Sequence, residues 1–464
     1  MQKNTQLLAA VNQAYASAAD IRRRRQRFKS FTYGRQWGDL VTDPDGNLIT
    51  EGEMAARQGR QPLTNNMLRQ LVKTIVGRFR SSLQPPPPQL REIAERNMLD
   101  ELDSRLLEEF LISGCAIQRI SRQKRPQGSG IWIDNVNPTR FFVNNMADPR
   151  GTDIEMIGMI HDLSLPELLA RFAMGSQHRA AELTQIYGVA TGMPPAALQL
   201  TIDESADLFT SPPGRCRVIE VWTLDCAEAI RCHDPHTATY FMLNTSSAQR
   251  ISRINAARMR RHRQPITTRW EMLSRWQCRW LTPEGHIIHR TGSYMPDGSH
   301  PFVTSFYPLT DGEIHPFVED VIDQQKYVNR LITLIDNVMG SSAKGVLLFP
   351  EHQLSPSMDW GQIRDLWASY DGVIPYRPRA GEPEPHQVAS KSTPAGAYEL
   401  LALQLRLFEE ISGVSGALQG RSATSQTSAQ MFEAQTRNSA IALADIFATF
   451  AAFRSHREAR LAVK

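Results

Sequence analysis

The stretch PFVEDVIDQQKYVNRLITLIDNVM, residues 316–339, decides how this chain folds. Pro316 suits the first turn of a helix, and apolar residues then recur every three or four positions, which predicts one long helix with a narrow apolar seam. At a rise of 1.5 Å per residue, residues 317–339 would span about 35 Å. Four polar residues lie close to the seam, namely Asp323, Gln324, Gln325 and Asn329. Buried polar groups need hydrogen-bond partners, so we expect another helix to supply them.

Downstream of this helix, the sequence predicts a small β-α-β unit and two further helices. The β-α-β unit consists of strand-like runs and a helical run at 345–349, 360–370 and 372–376. A second helix is predicted over 395–412. Residues 413–426 are small, polar and punctuated by glycine, which is typical of a loop, and they lead into a terminal helix over 427–461.

Upstream, residues 1–316 mix helical and strand patterns. Helical spacing covers 4–29, a run from Met67 with Thr64 or Asn65 as N-cap, and 90–112. Alternating apolar and polar residues predict short antiparallel strands at 115–121, 131–136, 141–144, 154–161 and 217–224. The fold class is therefore predicted to be α+β.

Length and composition exclude several classes of protein. The chain has 464 residues, which predicts roughly two to four structural units. Five irregularly spaced cysteines favour a reducing compartment over a disulfide framework. No secretory leader is evident, and the longest apolar stretch, 440–453, is too short for a membrane span and contains Asp445. We therefore expect a cytoplasmic protein without a membrane partner.

Positive charge is concentrated in residues 250–279, which hold nine arginines and one acid, although the whole chain carries only +4. Trp270, Trp276 and Trp280 interleave with arginines in this segment. One interpretation is a half-buried strand with tryptophan inside and arginine in water or paired with a neighbouring subunit. The other is base stacking and phosphate pairing with nucleic acid. We also consider that these arginines meet the acids of residues 90–109 on a neighbouring subunit.

Motifs of the common enzyme classes are missing from the sequence. It contains no phosphate-binding loop, nucleophile elbow, zinc-protease pair or dinucleotide-binding turn. Cys226, Cys232, His233 and His236 could bind a metal, but their spacing fits no standard zinc site. We expect no catalytic residues, no metal and no cofactor. A nucleic-acid-processing enzyme whose acids meet only in the folded chain stays open as an alternative.

The order of these segments resembles the core of tailed-bacteriophage portal proteins. Five stretches are similar to portal sequences, namely the aromatic-Gly-Arg-Gln36-Trp37 run, Leu63-Thr-Asn-Asn with its helix, Asn137-Pro138, the acidic start of the long helix with Asn329, and residues 411–430. The resemblance covers most of the chain.

The resemblance implies a portal-like architecture with long stem helices and a small clip. It places a mixed α/β wing at 1–316, stem helices at 317–339 and 395–412, a β-α-β clip at 340–394, a tunnel loop at 413–426 and a wing helix at 427–464. Portals usually continue into a helical crown, so we expect a minimal or missing crown here.

The same resemblance implies function and partners. Portals form homomeric rings, typically of twelve subunits, at one capsid vertex of the virion, and are assembled in the host cytoplasm. Double-stranded DNA passes through the ring without sequence-specific recognition during packaging and ejection. The implied protein partners are the terminase large subunit, the major capsid or scaffold protein, and head-completion (adaptor) and tail proteins. Another phage structural protein, such as an adaptor or minor head protein, is the nearest alternative.

Three groups of residues are predicted to carry these contacts. The DNA-channel group is Gln419, Arg421, Ser422 and Ser425, in which Arg421 is the only formal charge between Glu410 and Glu433. The clip docking group is Trp360, Arg364, Trp367 and Tyr370. The subunit-interface group is Arg258, Arg260, Arg261, Asp323, Gln324 and Asn329.

Overall fold

The computed structural model describes residues 3–125, 128–187, 208–244, 247–344, 346–368, 373–379, 381, 383–388, 395–414 and 441–462. The chain divides into two compact units. Unit 1 contains Met1–Lys29, Val72–Glu319 and Ala440–Lys464, and unit 2 contains Ser30–Leu71 and Asp320–Ser439. Both helices and strands are present, so the prediction of a mixed helix-and-strand protein is confirmed.

The described helices are α1 (Thr5–Ser17), α2 (Ala19–Thr32), α3 (Glu51–Arg57), α4 (Met67–Ser81), α5 (Arg91–Asn97), α6 (Leu99–Ser113), α7 (Leu165–Phe172), α8 (Gln177–Tyr187), α9 (Ala248–Arg260), α10 (Glu319–Lys344), α11 (Trp360–Ala368), α12 (Ala395–Ser412) and α13 (Ala444–Ala462). The described strands are β1 (Leu40–Thr42), β2 (Leu48–Thr50), β3 (Cys115–Arg125), β4 (Gly128–Asn135), β5 (Phe141–Val143), β6 (Met156–Leu163), β7 (Cys216–Asp234), β8 (Thr239–Asn244), β9 (Thr267–Leu281), β10 (Ile287–Gly292), β11 (Phe302–Phe306), β12 (Val346–Leu348) and β13 (His386–Val388).

Unit 1 is built on two antiparallel sheets. The larger has the order β10-β9-β7-β6-β5, with β8 pairing with the far half of β7, and the smaller has the order β11-β3-β4. Alternate residues of β7 face opposite cores, because side chains alternate across a strand. Val218 and Trp222 pack in one core, whereas Ile219 and Val221 pack in the other core with residues of α1.

Two predicted helices of unit 1 are interrupted. The helix predicted over 90–112 breaks at Met98, whose φ of 48° is left-handed, so that α5 ends and α6 begins there. The helix predicted over 4–29 divides at Ala18 into α1 and α2. Periodicity predicted the apolar faces correctly but contained no signal for either break.

The terminal helix α13 packs within unit 1. Phe450 lies against Phe79 and Phe110, with ring centroids 5.4 and 5.7 Å apart. Asp103 of α6, which is almost fully buried, pairs with Arg457, and its Oδ2 lies 3.0 Å from Arg454 Nε in a second ion pair. The predicted helix began at residue 427, and residues 427–440 lie outside the described part of the chain.

Unit 2 contains α3, the β1-β2 hairpin, α10, α11, α12 and the two-stranded β12-β13 sheet. β12 pairs antiparallel with β13, so the predicted second strand at 372–376 is wrong. Tyr376 forms a single bridge to Leu354, and residues 373–375 are not in a strand. Pro375 has no amide hydrogen to donate to a ladder, which explains why this run does not form a strand.

In the described residues, every helix is too short or too polar to cross a bilayer.

Candidate functional site

Helix α10 holds an extended segment of its own chain through a ladder of polar side chains. Gln325, Asn329 and Thr333 are four residues apart and therefore share one helix face. Asn65 N donates to Asn329 Oδ1 at 3.0 Å, and Leu63 N donates to Thr333 Oγ1 at 3.0 Å. Gln325 is bonded at both ends of its amide, because its Oε1 accepts from Leu68 N at 3.0 Å and its Nε2 donates to Asn65 O at 2.7 Å.

This ladder corrects the expectation that another helix would satisfy the polar groups along the seam. Their partners are backbone groups around the start of α4, where Asn66 Oδ1 caps the helix by accepting from Arg69 N at 3.0 Å. The N-cap is thus Asn66, not Thr64 or Asn65. Asn329 Nδ2 also donates to Gln36 Oε1 at 2.6 Å, so Asn329 is buried and bonded inside unit 2.

Asp323 and Gln324, the other two predicted interface residues of α10, are less buried than Asn329. Asp323 is exposed to solvent, and Gln324 is half-buried. Gln324 Oε1 is shielded from water and accepts no hydrogen bond from the described residues. These two side chains are therefore not engaged in the ladder and stay candidates for contact with another subunit.

Ion pairs attach the β1-β2 hairpin and α3 to the same helix. Lys326 Nζ lies 2.7 Å from Asp39 Oδ2 and 3.3 Å from Glu51 Oε2. Arg330 Nε lies 2.6 Å from Glu51 Oε1. One side of α10 is thus covered by polar contacts with residues 36–68 of unit 2.

Another side of α10 and part of α12 present apolar side chains to solvent. Tyr327, Leu334 and Met339 of α10 are exposed. In α12, the leucines at 400, 401, 403, 405 and 407 form a broad apolar side opposite the charged residues at 399, 406, 409 and 410. Leu403 is exposed, and Phe408 is the one fully buried large apolar residue of α12 among those described. Tyr398 Oη donates to Met339 Sδ at 2.9 Å, which brings the start of α12 to the far end of α10.

The clip segment also exposes apolar residues. Trp360 begins α11 and is 46% exposed, with its ring packed edge-on against Phe349 at a centroid distance of 6.0 Å. Trp367 is half-buried and Arg364 is exposed beside Asp365. Tyr370 lies outside the described residues.

The basic segment divides between α9 and β9 in unit 1. Helix α9 covers one face of the three-stranded end of the large sheet, where Ile251 packs with Ile230 and Cys232. Arg258 is committed to its own subunit, because its guanidinium bonds both carboxylate oxygens of Asp234 at 2.7 and 2.6 Å. Arg260 and Arg261 are exposed, and no acid partner is found for them in the described chain.

The tryptophans of β9 become less exposed towards the body of the large sheet. Trp270 is exposed, Trp276 is half-buried against His300, and Trp280 is buried against Phe172. This gradient agrees with a half-buried strand, and the nucleic-acid interpretation stays untested.

Most acids of residues 90–109 already have partners in unit 1. These are Glu92 with Arg96, Glu101 with Arg80 and Arg105, Asp103 with Arg457, Glu108 with Arg105, and Glu109 with Arg25. Glu95 and Asp100 are exposed. A pairing between this segment and the arginines of a neighbour would therefore involve these two acids.

A buried charge cluster, which the sequence did not predict, joins the two sheets of unit 1. Glu220 of β7 accepts from Arg119 Nη2 of β3 at 3.0 Å and from Trp222 Nε1 at 2.9 Å, and its Oε2 lies 2.7 Å from His161 Nε2. Burial raises the pKa of the Glu220 carboxyl, but the charge of Arg119 and the His161 hydrogen bond outweigh it and hold that pKa well below its usual value. The sequence signal that could have predicted this cluster is a charged residue at an inward position of an otherwise apolar strand.

The predicted DNA-channel residues Gln419, Arg421, Ser422 and Ser425 all lie outside the described residues. In the part of the chain that is described, no group of three or more His, Cys, Asp and Glu side chains could hold a metal ion.

Comparison with known proteins identifies the family. No curated protein matches the chain. The family model for phage P22-like portal proteins matches residues 89–460, which include α10, the clip segment, α12 and most of α13. Because this match covers well over half of the sequence, the chain belongs to the family of phage P22-like portal proteins.

Proposed function

We propose that copies of this chain assemble into a ring of twelve subunits, as the resemblance implies, that forms the DNA channel at one vertex of a phage capsid. Portal proteins are structural components of the virion, not enzymes, and the match over residues 89–460 supports this role. In the proposed ring, α10 and α12 are the stem, residues 340–394 the clip and residues 413–426 the tunnel loop.

The apolar surface of α12 is the observation that carries the proposal. The apolar face of an amphipathic helix is normally buried, yet Leu403 on the apolar side of α12 is 47% exposed in the single subunit. Exposed Tyr327 and Leu334 give α10 an apolar surface of its own. Two different apolar faces on one subunit suit head-to-tail association, which closes into a ring when the rotation between neighbours is an integer fraction of a turn.

The channel wall is proposed to let DNA slide. Residues 413–426 are small and polar with Arg421 as their single charge, so each subunit would offer one transient phosphate contact. Tight clamping would stall movement, and recognition of bases would make it depend on sequence. Gln419, Ser422 and Ser425 are proposed to line the same wall.

The clip is proposed to dock the terminase large subunit first and head-completion or tail proteins afterwards. Trp360 is exposed beside exposed Arg364, and aromatic residues and arginine are the types that most often dominate binding energy at interfaces. Capsid or scaffold protein would contact unit 1. ATP hydrolysis is not proposed for this chain.

Ring formation is tested directly on the purified full-length protein. Native mass spectrometry should give a single closed oligomer, and negative-stain microscopy should show rings with a central hole. Leu403→Glu should shift the protein to monomer or small oligomers, because the substitution places a charge in a proposed apolar contact between subunits.

The matched control is Leu403→Met, which keeps the apolar volume and should leave the ring intact. A wild-type protein that stays monomeric, or an L403E protein that assembles as wild type, would contradict the proposed stem. A monomeric wild-type protein would favour the adaptor or minor head protein alternative, whereas rings of the L403E protein would contradict only the contact through α12.

A further inference from the structure

At one end of the large sheet, three strands stand alone in the order β8-β7-β9. β10 pairs with β9 only at residues 277–281, so residues 267–274 have no strand on their outer side among those described. β8 likewise pairs with β7 on one side only. In the described chain, no other backbone hydrogen bond reaches either outer edge. This end of the sheet thus has two open edges, which differ in sequence.

The β8 edge is exposed and lacks the usual protection. Its six residues, Thr239–Asn244, include no charge and no proline, and they pair with β7 without a bulge. Tyr240 is 70% exposed, and Met242 is exposed as well. Natural sheets protect their open edges with charges, prolines or bulges, because an unprotected edge can pair with another strand. We therefore expect another strand to cover β8 in the assembled protein.

The open edge of β9 runs in a direction that fits β8. Both strands are antiparallel to β7, so they are parallel to each other. A second copy placed beside the first in the plane of the sheet would bring its β9 against β8 as a parallel pair, which forms an evenly spaced ladder of hydrogen bonds. Contact between two different edges is also the head-to-tail type that a closed ring requires.

On the sheet face that carries α9, the side chains of the two edges are complementary. Phe241 and Leu243 pack in the cluster under α9. Trp270 lies directly opposite Ile230 of that cluster, so it points to the same face, as does Met272 two positions later. Both Trp270 and Met272 are exposed in the single subunit. In one register, Phe241 lies beside Trp270 of a neighbouring copy. The next pair on this face, Leu243 with Met272, is then apolar as well.

The same register suits the opposite face of the sheet. It places Tyr240 beside Arg269 of the neighbouring copy and Met242 beside its Glu271. Arg269 is largely exposed, and its ion pair with Glu271 on its own strand is long, at 4.0 Å. A guanidinium above an aromatic ring is attracted to that ring. Exposed Tyr240 offers such a ring, so one register satisfies both faces.

We infer that β8 of one copy pairs with β9 of the next copy, so that the sheet continues across the boundary between subunits. The inference rests on the proposed ring and names one contact that closes it. In a closed ring every copy has both edges covered, whereas an open row of copies leaves one β8 and one β9 exposed at its ends.

Disulfide cross-linking of the full-length protein tests the pairing, in a Cys226→Ser background because Cys226 is exposed. Met242→Cys together with Glu271→Cys should give a ladder of covalent multimers on a non-reducing denaturing gel after mild oxidation. Within one subunit β7 separates the two positions, so only a disulfide between copies can form. Met242→Cys with Met272→Cys is the matched control, and it should cross-link at least about tenfold less, because neighbouring residues of a strand point to opposite faces.

Tyr240→Cys with Arg269→Cys is a second pair in the same register and keeps the test valid if the first variant fails to fold. Wild-type rings in native mass spectrometry without multimers from either pair, or equal cross-linking in the control, would overturn the pairing and leave the proposed ring standing. A wild-type protein that stays monomeric would overturn both. Covalent dimers from Met242→Cys alone would place β8 against β8 and would also overturn the pairing.

Discussion

At the scale of single residues, Glu220 shows how unit 1 tolerates a fully buried charge. Its carboxylate is held by donors from three strands, because Arg119 lies on β3, His161 on β6 and Trp222 on β7 itself. Removing water from a carboxylate is costly, and the cost is offset only when a countercharge and hydrogen bonds surround it. The cluster therefore fixes how β3 packs on β7.

Glu220→Gln should destabilise unit 1 by about 3 kcal/mol, because Arg119 would remain buried without its countercharge. Urea denaturation followed by tryptophan fluorescence measures this change. Glu284→Gln is the control, since Glu284 is largely exposed and its loss should cost less than about 0.5 kcal/mol. A Glu220→Gln protein as stable as wild type would show that the cluster contributes little.

Acidification should destabilise unit 1 through the same cluster. The pKa of Glu220 is lowered in the folded state, and burial lowers the pKa of His161 despite the neighbouring carboxylate. The unfolded chain therefore binds more protons at these two sites, so stability rises with pH. We expect the free energy of unfolding to fall from about pH 6.5 downwards, where an unfolded histidine gains its proton, and further near pH 4, where an unfolded glutamate gains its own. In the Glu220→Gln protein, the free energy of unfolding should depend less on pH near pH 4.

Charge reversal tests whether the exposed arginines at the end of α9 contact a neighbouring subunit. A double substitution Arg260→Glu and Arg261→Glu should reduce the fraction of protein in rings, measured by native mass spectrometry, if these exposed side chains meet acids such as Glu95 and Asp100 of a neighbour. A double reversal at exposed Arg60 and Arg78, which lie outside both segments, changes the net charge equally and should leave assembly unaltered. Unchanged assembly in the R260E/R261E protein would contradict the interface.

At the scale of secondary-structure elements, α10 shows what sequence patterns can and cannot predict. The apolar seam predicted the helix, and Val321, Val328 and Ile335 are buried as the spacing requires. Gln325 and Asn329 were recognised as polar residues that need partners. Their partners are about 260 residues earlier in the chain, and helix periodicity contains no information on such distant contacts.

The strand predictions were correct where apolar residues alternate and wrong where a proline interrupts the run. The five strand runs predicted in unit 1 are confirmed, because alternation of apolar residues reports burial on one face. The run at 372–376 is apolar but contains Pro375, so the clip strand forms instead at β13, where no strand was predicted. The buried cluster around Glu220 was missed because it depends on the packing of one sheet against another.

Asn329→Leu should lower the free energy of unfolding of unit 2 by about 3 kcal/mol. The substitution removes the acceptor of Asn65 N and leaves Gln36 Oε1 without its donor, and an unsatisfied buried group costs about 1–3 kcal/mol. Asn337→Leu is the matched control on the same helix face, because Asn337 Nδ2 bonds only its own helix at Thr333 O in the described structure. Hydrogen exchange of the Asn65 amide would show the loss locally, and unchanged protection there would contradict the ladder.

At the scale of the whole molecule, the chain alternates between its two units. Unit 1 takes its residues from three separate stretches and unit 2 from two. The wing at 1–316 stays a prediction, and within the single subunit residues 30–71 group with α10 and α12 in unit 2. The division depends on contacts such as the α10 ladder, which bring together segments that are distant in sequence.

Asp103→Asn should release α13 from unit 1. The substitution removes the countercharge of buried Arg457 and of Arg454, and breaking a buried ion pair costs about 3–5 kcal/mol. Hydrogen exchange of α13 amides should accelerate at least about tenfold. Asp100→Asn, on the exposed side of the same helix, should leave exchange at its wild-type rate. Equal exchange in the two variants would contradict a specific role for Asp103.

The contact between Asp103 and Arg457 also sets the order in which a nascent chain can mature. These two residues are 354 positions apart, so at about 5–20 residues per second a ribosome would need roughly 20 to 70 seconds to synthesise the intervening chain. Until then α13 cannot pack on the apolar surfaces around Phe79 and Phe110. The core around Phe79 and Phe110 is therefore completed only after α13 has been translated.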